Sequence, residues 1–226
     1  MKKLFFFLII GLLFISCSSD SSSGTNLSDT PMAKSEFDNS NFGIYKGVFV
    51  GSSGNVLINI NNEGVLSATL VIDGTTYNYT TTETATLNSA IEGLTFTNGS
   101  SSFDFNVNAN GDLISITNIN INGHPNANIY IIKEFSDALV KCYQGNFNGD
   151  DSGVFNLIIS EGEIYGLAKS SSSTTSIELQ GILSNNSLVG SFENGTYSGT
   201  TNGNNISGTW QNADSETGNW SGSRSL

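Results

Sequence analysis

The sequence predicts an all-β chain: an antiparallel meander barrel or sandwich built from two repeated halves of about eight strands. Three observations carry this. Short stretches such as residues 55–60, 103–107 and 113–121 alternate apolar with polar side chains, which puts β-branched or aromatic residues on one face of a strand. Turn signals separate these stretches: Asn61-Asn-Glu-Gly64, Asp73-Gly74, Asn98-Gly99, Asn110-Gly111, Asn122-Gly123, Glu161-Gly162, Asn185-Asn186, Asn194-Gly195 and Asn202-Gly203. One motif also recurs, Ile44-Tyr-Lys-Gly-Val-Phe-Val-Gly51 aligning with Cys142-Tyr-Gln-Gly-Asn-Phe-Asn-Gly149. In each copy a Gly-containing turn (Gly54, Gly153) and an apolar stretch follow.

Taken from the N-terminus, Lys2 and Lys3 precede an apolar run, residues 4–15, broken only by Gly11. As a helix the run is about 18 Å long, too short for a bilayer core of about 30 Å, so it reads as the apolar region of a signal peptide. It ends in Phe14-Ile15-Ser16-Cys17, an apolar residue three before a Cys and a small residue directly before it. In this the sequence resembles a bacterial lipoprotein with a type II signal peptide, and Asp20, shortly after Ser18-Ser19, resembles the surface-export tethers of Bacteroidetes-type lipoproteins. The resemblance implies cleavage after residue 16, a diacylglycerol thioether and acylation (palmitate) at Cys17, and attachment to the membrane through that lipid. Ser18 stands where an Asp would signal inner-membrane retention, which implies sorting to the outer membrane, lipid-anchored on its periplasmic face or at the cell surface.

Residues 17–41 are rich in Ser, Asn and Asp and show no apolar period, so they read as a flexible tether. The two β halves are then expected at 42–135 and 136–226. The only helix candidate runs from Glu134 to Lys141, at the junction, and is short enough to read equally as a linker.

The second half repeats apolar-x-Gly-x-apolar: Tyr143-Gly145-Phe147, Ile164-Gly166-Ala168, Leu179-Gly181-Leu183, Leu188-Gly190-Phe192 and Ile206-Gly208-Trp210, with looser versions at Tyr197-Gly199 and Trp220-Gly222. Residues two apart share a strand face, so a belt of Gly is expected on the core face, covered by large neighbours such as Phe192 and Trp210. The closing Ile206-Ser-Gly-Thr-Trp210 and Asn219-Trp-Ser-Gly222 resemble late strands of calycin barrels, the lipocalin and avidin group. Only Trp210 and Trp220 are present, fewer than the several Trp with which avidin-type proteins wall their ligand.

Composition narrows the function. The chain holds 20 Asp and Glu against 8 Lys and Arg, a formal charge of −12, which argues against a nucleic-acid partner. Removing residues 1–16 takes away Lys2 and Lys3 and no acid. The single His, His124, lies in Asn122-Gly-His-Pro-Asn126 and reads as an exposed turn residue. Cys142 aligns with the apolar Ile44 and reads as a buried, unreactive thiol. The acids Asp150, Asp151, Glu161, Glu163, Glu178 and Glu193 fall in or beside turns, where solvated carboxylates are common. Asn146-Phe-Asn-Gly-Asp-Asp-Ser-Gly153 departs from a calcium loop at Asp151 and Leu157 and reads as a β-turn. No catalytic residue, no metal site and no cofactor is therefore expected. The expectation is a non-enzymatic binding or interaction module with a protein or glycan partner and oligomeric state left open. The alternatives are a lipocalin-like carrier of a small apolar ligand and a carbohydrate-active enzyme. Unfilled lumen space would mark a carrier, and acids converging on one cleft an enzyme.

Overall fold

A computed structural model describes residues 27–226. The predicted signal peptide, Cys17 and the first part of the tether lie outside the described residues.

The fold is all-β, in two eight-stranded antiparallel halves. The first contains β1 (Gly43–Val50), β2 (Ser53–Ile60), β3 (Leu66–Ile72), β4 (Thr75–Thr80), β5 (Ile91–Asn98), β6 (Ser101–Val107), β7 (Ser115–Asn120) and β8 (Asn128–Glu134). The second contains β9 (Lys141–Gly149), β10 (Gly153–Ser160), β11 (Glu163–Ser170), β12 (Ile177–Ser184), β13 (Ser187–Phe192), β14 (Gly195–Asn202), β15 (Asn205–Asn212) and β16 (Thr217–Arg224). In the second half β9 pairs with both β10 and β16, and the meander closes into a barrel. In the first, β1 pairs with β2 and β8, but β7 and β8 do not pair and β4 meets β5 only at Thr80–Thr97, so that barrel is nearly closed.

The repeat is structural. Phe49 faces Gly54 across the first hairpin of one half, and Phe147 faces Gly153 across that of the other. The second hairpin is one residue longer. Both motif copies end in a glycine with φ that L side chains rarely adopt, +121° at Gly51 and +133° at Gly149. Three two-residue turns, Asp73-Gly74, Glu161-Gly162 and Asn185-Asn186, have positive φ at both residues, as tight hairpins need.

Each barrel has its own core. Tyr45, Phe49, Val56, Ile58, Leu70, Phe96, Phe103 and Phe105 fill the first, and Tyr143, Phe155, Leu157, Ile164, Leu188, Tyr197, Ile206 and Trp220 the second. All eight residues of β1 are buried, because one face looks into the first barrel and the other packs on the second. That outward face supplies Val48, which meets Val140, Cys142 and Ile158 in a third apolar cluster. Tyr130 stacks on Tyr165 at 5.7 Å across the same seam.

Polar groups at the seam are matched in pairs. The fully buried Asn156 donates to the Phe49 carbonyl at 3.0 Å and accepts from Gly54 N–H at 3.3 Å. Lys46 and Glu134 form an ion pair with side chains 2% and 0% exposed. Glu134 also accepts from Val140 N–H at 3.0 Å and Met32 N–H at 2.6 Å.

Four expectations are corrected. Of the helix and linker readings of Glu134 to Lys141, the helix falls and the linker holds: Glu134 ends β8, a short bridged turn joins Phe135 to Ala138, and Lys141 opens β9. The buried Lys46–Glu134 pair holds that junction in place. The flexible-tether reading does not extend to residues 27–41. Ser35–Phe37 is a short 3-10 turn, Lys34 N–H bonds the Asn62 side chain, Asn41 is buried, and Asp29 pairs with Arg224 at 3.0 Å. The strand expected over 113–121 shortens to β7, since Leu113 takes φ +50° and is 79% exposed. Asn194-Gly195 turns without positive φ, and Gly195 belongs to the core face instead.

Candidate ligand-binding site

The glycine belt lies on the core face of the second barrel, and most of its positions are covered by a large side chain, while Gly222 lies against the backbone of Gln144 and Gly145. A Cβ on Gly208 would come within 2.6 Å of Trp220, one on Gly145 within 2.6 Å of Phe155, and one on Gly181 within 2.8 Å of the Tyr197 hydroxyl. Gly190 lies under Tyr197, Gly199 under Trp220 and Gly218 under Trp210. Glycine lets the aromatic rings lie flat against backbone, which packs the deep half of the lumen.

The other half is open. At the end carrying the β9–β10, β11–β12, β13–β14 and β15–β16 connections there is a cavity of about 270 Å³. Its floor is Phe155, Leu157, Leu179, Tyr197 and Trp220, and its upper wall is Phe147, Ile177, Phe192 and Trp210. The floor rings meet edge to face, Phe155 with Trp220 at 5.6 Å and Tyr197 with Trp220 at 6.1 Å; above them Phe147 meets Trp210 at 6.1 Å.

The polar atoms of these rings are already bonded. Trp220 Nε1 donates to the Thr209 carbonyl at 3.1 Å, Trp210 Nε1 to Asn148 at 3.2 Å and the Tyr197 hydroxyl to Gln180 at 3.2 Å. Burial pushes the Tyr197 phenol well above its ordinary value. The wall therefore offers ring faces and aliphatic surface, and polar side chains appear only at the rim. There Asp151, Glu193, Asp214 and Glu216 line the opening with Ser170, Ser173, Thr175, Asn194 and Asn212.

Of the acids singled out in the sequence, the fold brings Asp151 and Glu193 to this mouth. Asp150 bonds Thr217 N–H at 2.8 Å outside the lining, and Glu161 and Glu163 lie at the opposite end of the barrel. Glu178 alternates with the inward Ile177 and Leu179 and so faces outward from β12. Asp214, Glu216, Phe147 and Ile177 were not singled out as site residues. The available signal was inward parity at the strand ends that share this side of the meander. The Asn146–Gly153 segment forms the β9–β10 hairpin, and Asp151 there bonds Ser170 Oγ and Ser152 N–H. Among the described residues no group of three or more His, Cys, Asp or Glu is placed to hold a metal ion.

The corresponding end of the first barrel is more closed. The β7–β8 connection folds over it, placing His124 edge-on against Phe49 at 5.5 Å and within 2.8 Å of Ser52 Oγ. His124 is thus half-buried, not the exposed turn residue expected. A recess of about 240 Å³ remains beside it, lined mainly by Tyr77, Tyr79, Asn98, Ser101 and Asn122. At the far end Lys133 closes the barrel: its ammonium donates to the carbonyls of Phe37, Ser40 and Phe42 and lies over the Tyr45 ring. Burial pushes it down to about 8, against the pull of Asp38 and Asp112. Cys142 is fully buried at the seam, its thiol pushed up to about 12 by burial.

A polar groove of about 550 Å³ runs along the outside of the second barrel, bordered by Gln144, Asn146, Thr200, Asn202, Asn205 and Ser223. No protein-family model matches the chain, and no curated protein matches it either.

Proposed function

We propose that this protein is a non-enzymatic binding protein, held at the outer membrane by lipid on Cys17, that takes a small apolar molecule into the mouth of its second barrel. The observation that carries the binding part is the cavity of about 270 Å³, walled by rings whose polar atoms are already satisfied. It is nearly twice the roughly 150 Å³ cavity that accepts benzene in an engineered protein. Concave, mostly apolar pockets with a few polar groups at the edge are the usual form of small-molecule sites. The first barrel serves as a packed support whose β1 and β2 hold the second in place.

Both tryptophans of the chain lie in this cavity, so intrinsic fluorescence reports on it directly. Titration with a neutral apolar probe such as N-phenyl-1-naphthylamine should quench indole emission by energy transfer and raise probe emission. Filling the space with Ala168→Phe should remove both changes while the circular dichroism stays that of a β protein. Unchanged emission with the native protein would remove the basis for the reading. The anchor is tested separately: radioactive palmitate should label the protein in cells, and Cys17→Ser should abolish the label.

A second reading draws on the four carboxylates at the same aromatic mouth, since glycoside hydrolysis uses paired acids across a cleft. Release of nitrophenol from aryl glycosides, lost in Glu193→Gln, would favour it.

A further inference from the structure

Building on the reading of the second-barrel mouth as a binding site, we infer that its ligand is an organic cation. An alkyl- or arylammonium fits, with its apolar part inside the barrel and its charge held between the rim and the upper rings. The cavity and its aromatic wall establish the space, and the charge of the rim selects what enters it. Asp151, Glu193, Asp214 and Glu216 all line the cavity, and its lining contains no Lys, Arg or His. These acids come from three separate connections, β9–β10, β13–β14 and β15–β16, so negative charge surrounds the opening. The fourth connection, residues 171–176, contributes only Ser and Thr.

The rings below the rim suit the same charge. Trp210 has its N–H committed to the Asn148 carbonyl, which leaves its π face as the feature it presents. Phe147 and Phe192 stand beside it on the upper wall. Aromatic faces attract ammonium groups, most strongly where water is excluded. An anion would meet both the rim carboxylates and the negative ring faces. A neutral polar group would find no free donor on the wall. A low-dielectric cleft with charge of one sign at its mouth also concentrates the opposite charge from solution.

Three compounds sharing one phenylalkyl skeleton isolate the charge: 4-phenylbutylammonium, 4-phenyl-1-butanol and 4-phenylbutyrate. Binding to the full chain is followed by tryptophan fluorescence and by calorimetry. The ammonium should bind roughly tenfold more tightly than the alcohol, with the butyrate weakest. The difference between ammonium and alcohol should shrink as salt is raised to about 1 M, where the screening length falls to about 3 Å. In Glu193→Gln/Asp214→Asn the advantage of the ammonium over the alcohol should narrow. If the alcohol or the butyrate binds as well as the ammonium, the charge preference is overturned and the apolar site stands. If none of the three changes fluorescence or heat, the binding site itself is overturned, and this inference with it.

Discussion

Phe49 and Phe147 hold the same place in the two repeats, and their surroundings decide which barrel is open. Each faces a glycine across its first hairpin, Gly54 and Gly153. Phe49 is fully buried under His124, at 5.5 Å, because the β7–β8 connection folds over the barrel end. Phe147 instead meets Trp210 at 6.1 Å and lines the open mouth. In the second half the equivalent connection, between β15 and β16, is only residues 213–216, too short to fold inward. Two similar units with different loop lengths thus give one covered barrel end and one open one.

Gly208→Val should lower the melting temperature. Its Cβ would enter space held by Trp220 and by the neighbouring backbone of β14. Overpacking of this kind costs about 1–3 kcal/mol, which for a chain of this size is a fall of roughly 2–12 °C. Ser207→Val, one residue earlier on the exposed face of the same strand, should change it by no more than about 2 °C, since surface substitutions usually stay within about 0.5 kcal/mol. Equal melting temperatures for the two variants would place the glycine belt on the wrong face.

Lys46 and Glu134 should behave as one unit in urea unfolding. Either single change, Lys46→Met or Glu134→Leu, leaves a buried charge unpaired and should cost about 3–5 kcal/mol. The double variant should cost clearly less than the two singles together. Glu134→Leu should remain the worse single change, because the carboxylate also accepts from Met32 and Val140 N–H and its loss orphans both. Additive losses would mean that the pair is not coupled.

What the sequence disclosed and what it hid follow from the range of each signal. Alternation and turn residues act over two to ten positions, and they placed the all-β class, the eight-stranded halves and the inward glycine belt. The face of β1 that packs on the second barrel carries Ile44, Lys46, Val48 and Val50, which alternation alone assigns to a polar or apolar exterior equally well. Lys46 meets a partner 88 positions away, and nothing local announces it. The same pair turned Glu134 to Lys141 from a helix candidate into a strand end and a turn. For the site, Trp210 and Phe192 were recognised as core-face residues, but their place at an open mouth depends on which loops are short. His124 shows the converse, a residue in a turn motif that the connection carries back onto Phe49.

Cys142 should resist modification. In Cys17→Ser protein it is the only thiol, and it is fully buried. Ellman's reagent should react with none of it in native buffer and with all of it in guanidinium. Its folded-state acidity gives a pH dependence. Burial raises the thiol from 9.0 to about 12, so the folded state keeps its proton where the unfolded state has lost it. Its contribution to stability is complete below about pH 9 and declines as pH rises toward 12. Cys142→Ala should flatten that part of the decline in melting temperature. An identical alkaline profile in the variant would assign the loss to other groups.

The two tryptophans should report different depths of one cavity. Trp220 is 6% exposed on the floor, beneath Phe155 and Tyr197, with its N–H bonded to Thr209. Trp210 is half-buried on the upper wall, close to the rim carboxylates. Trp210→Phe leaves the floor indole, whose emission should be blue-shifted and weakly quenched by acrylamide. Trp220→Phe leaves the upper indole, which should be red-shifted and quenched several-fold more efficiently. Charged quenchers sharpen the comparison: the cation caesium should quench Trp210 better than the anion iodide, because four carboxylates stand at the opening through which either must pass. That preference should fade as salt screens the rim. Equal quenching of the two single-tryptophan proteins would show a mouth as closed as that of the first barrel, with Phe147 covered as Phe49 is.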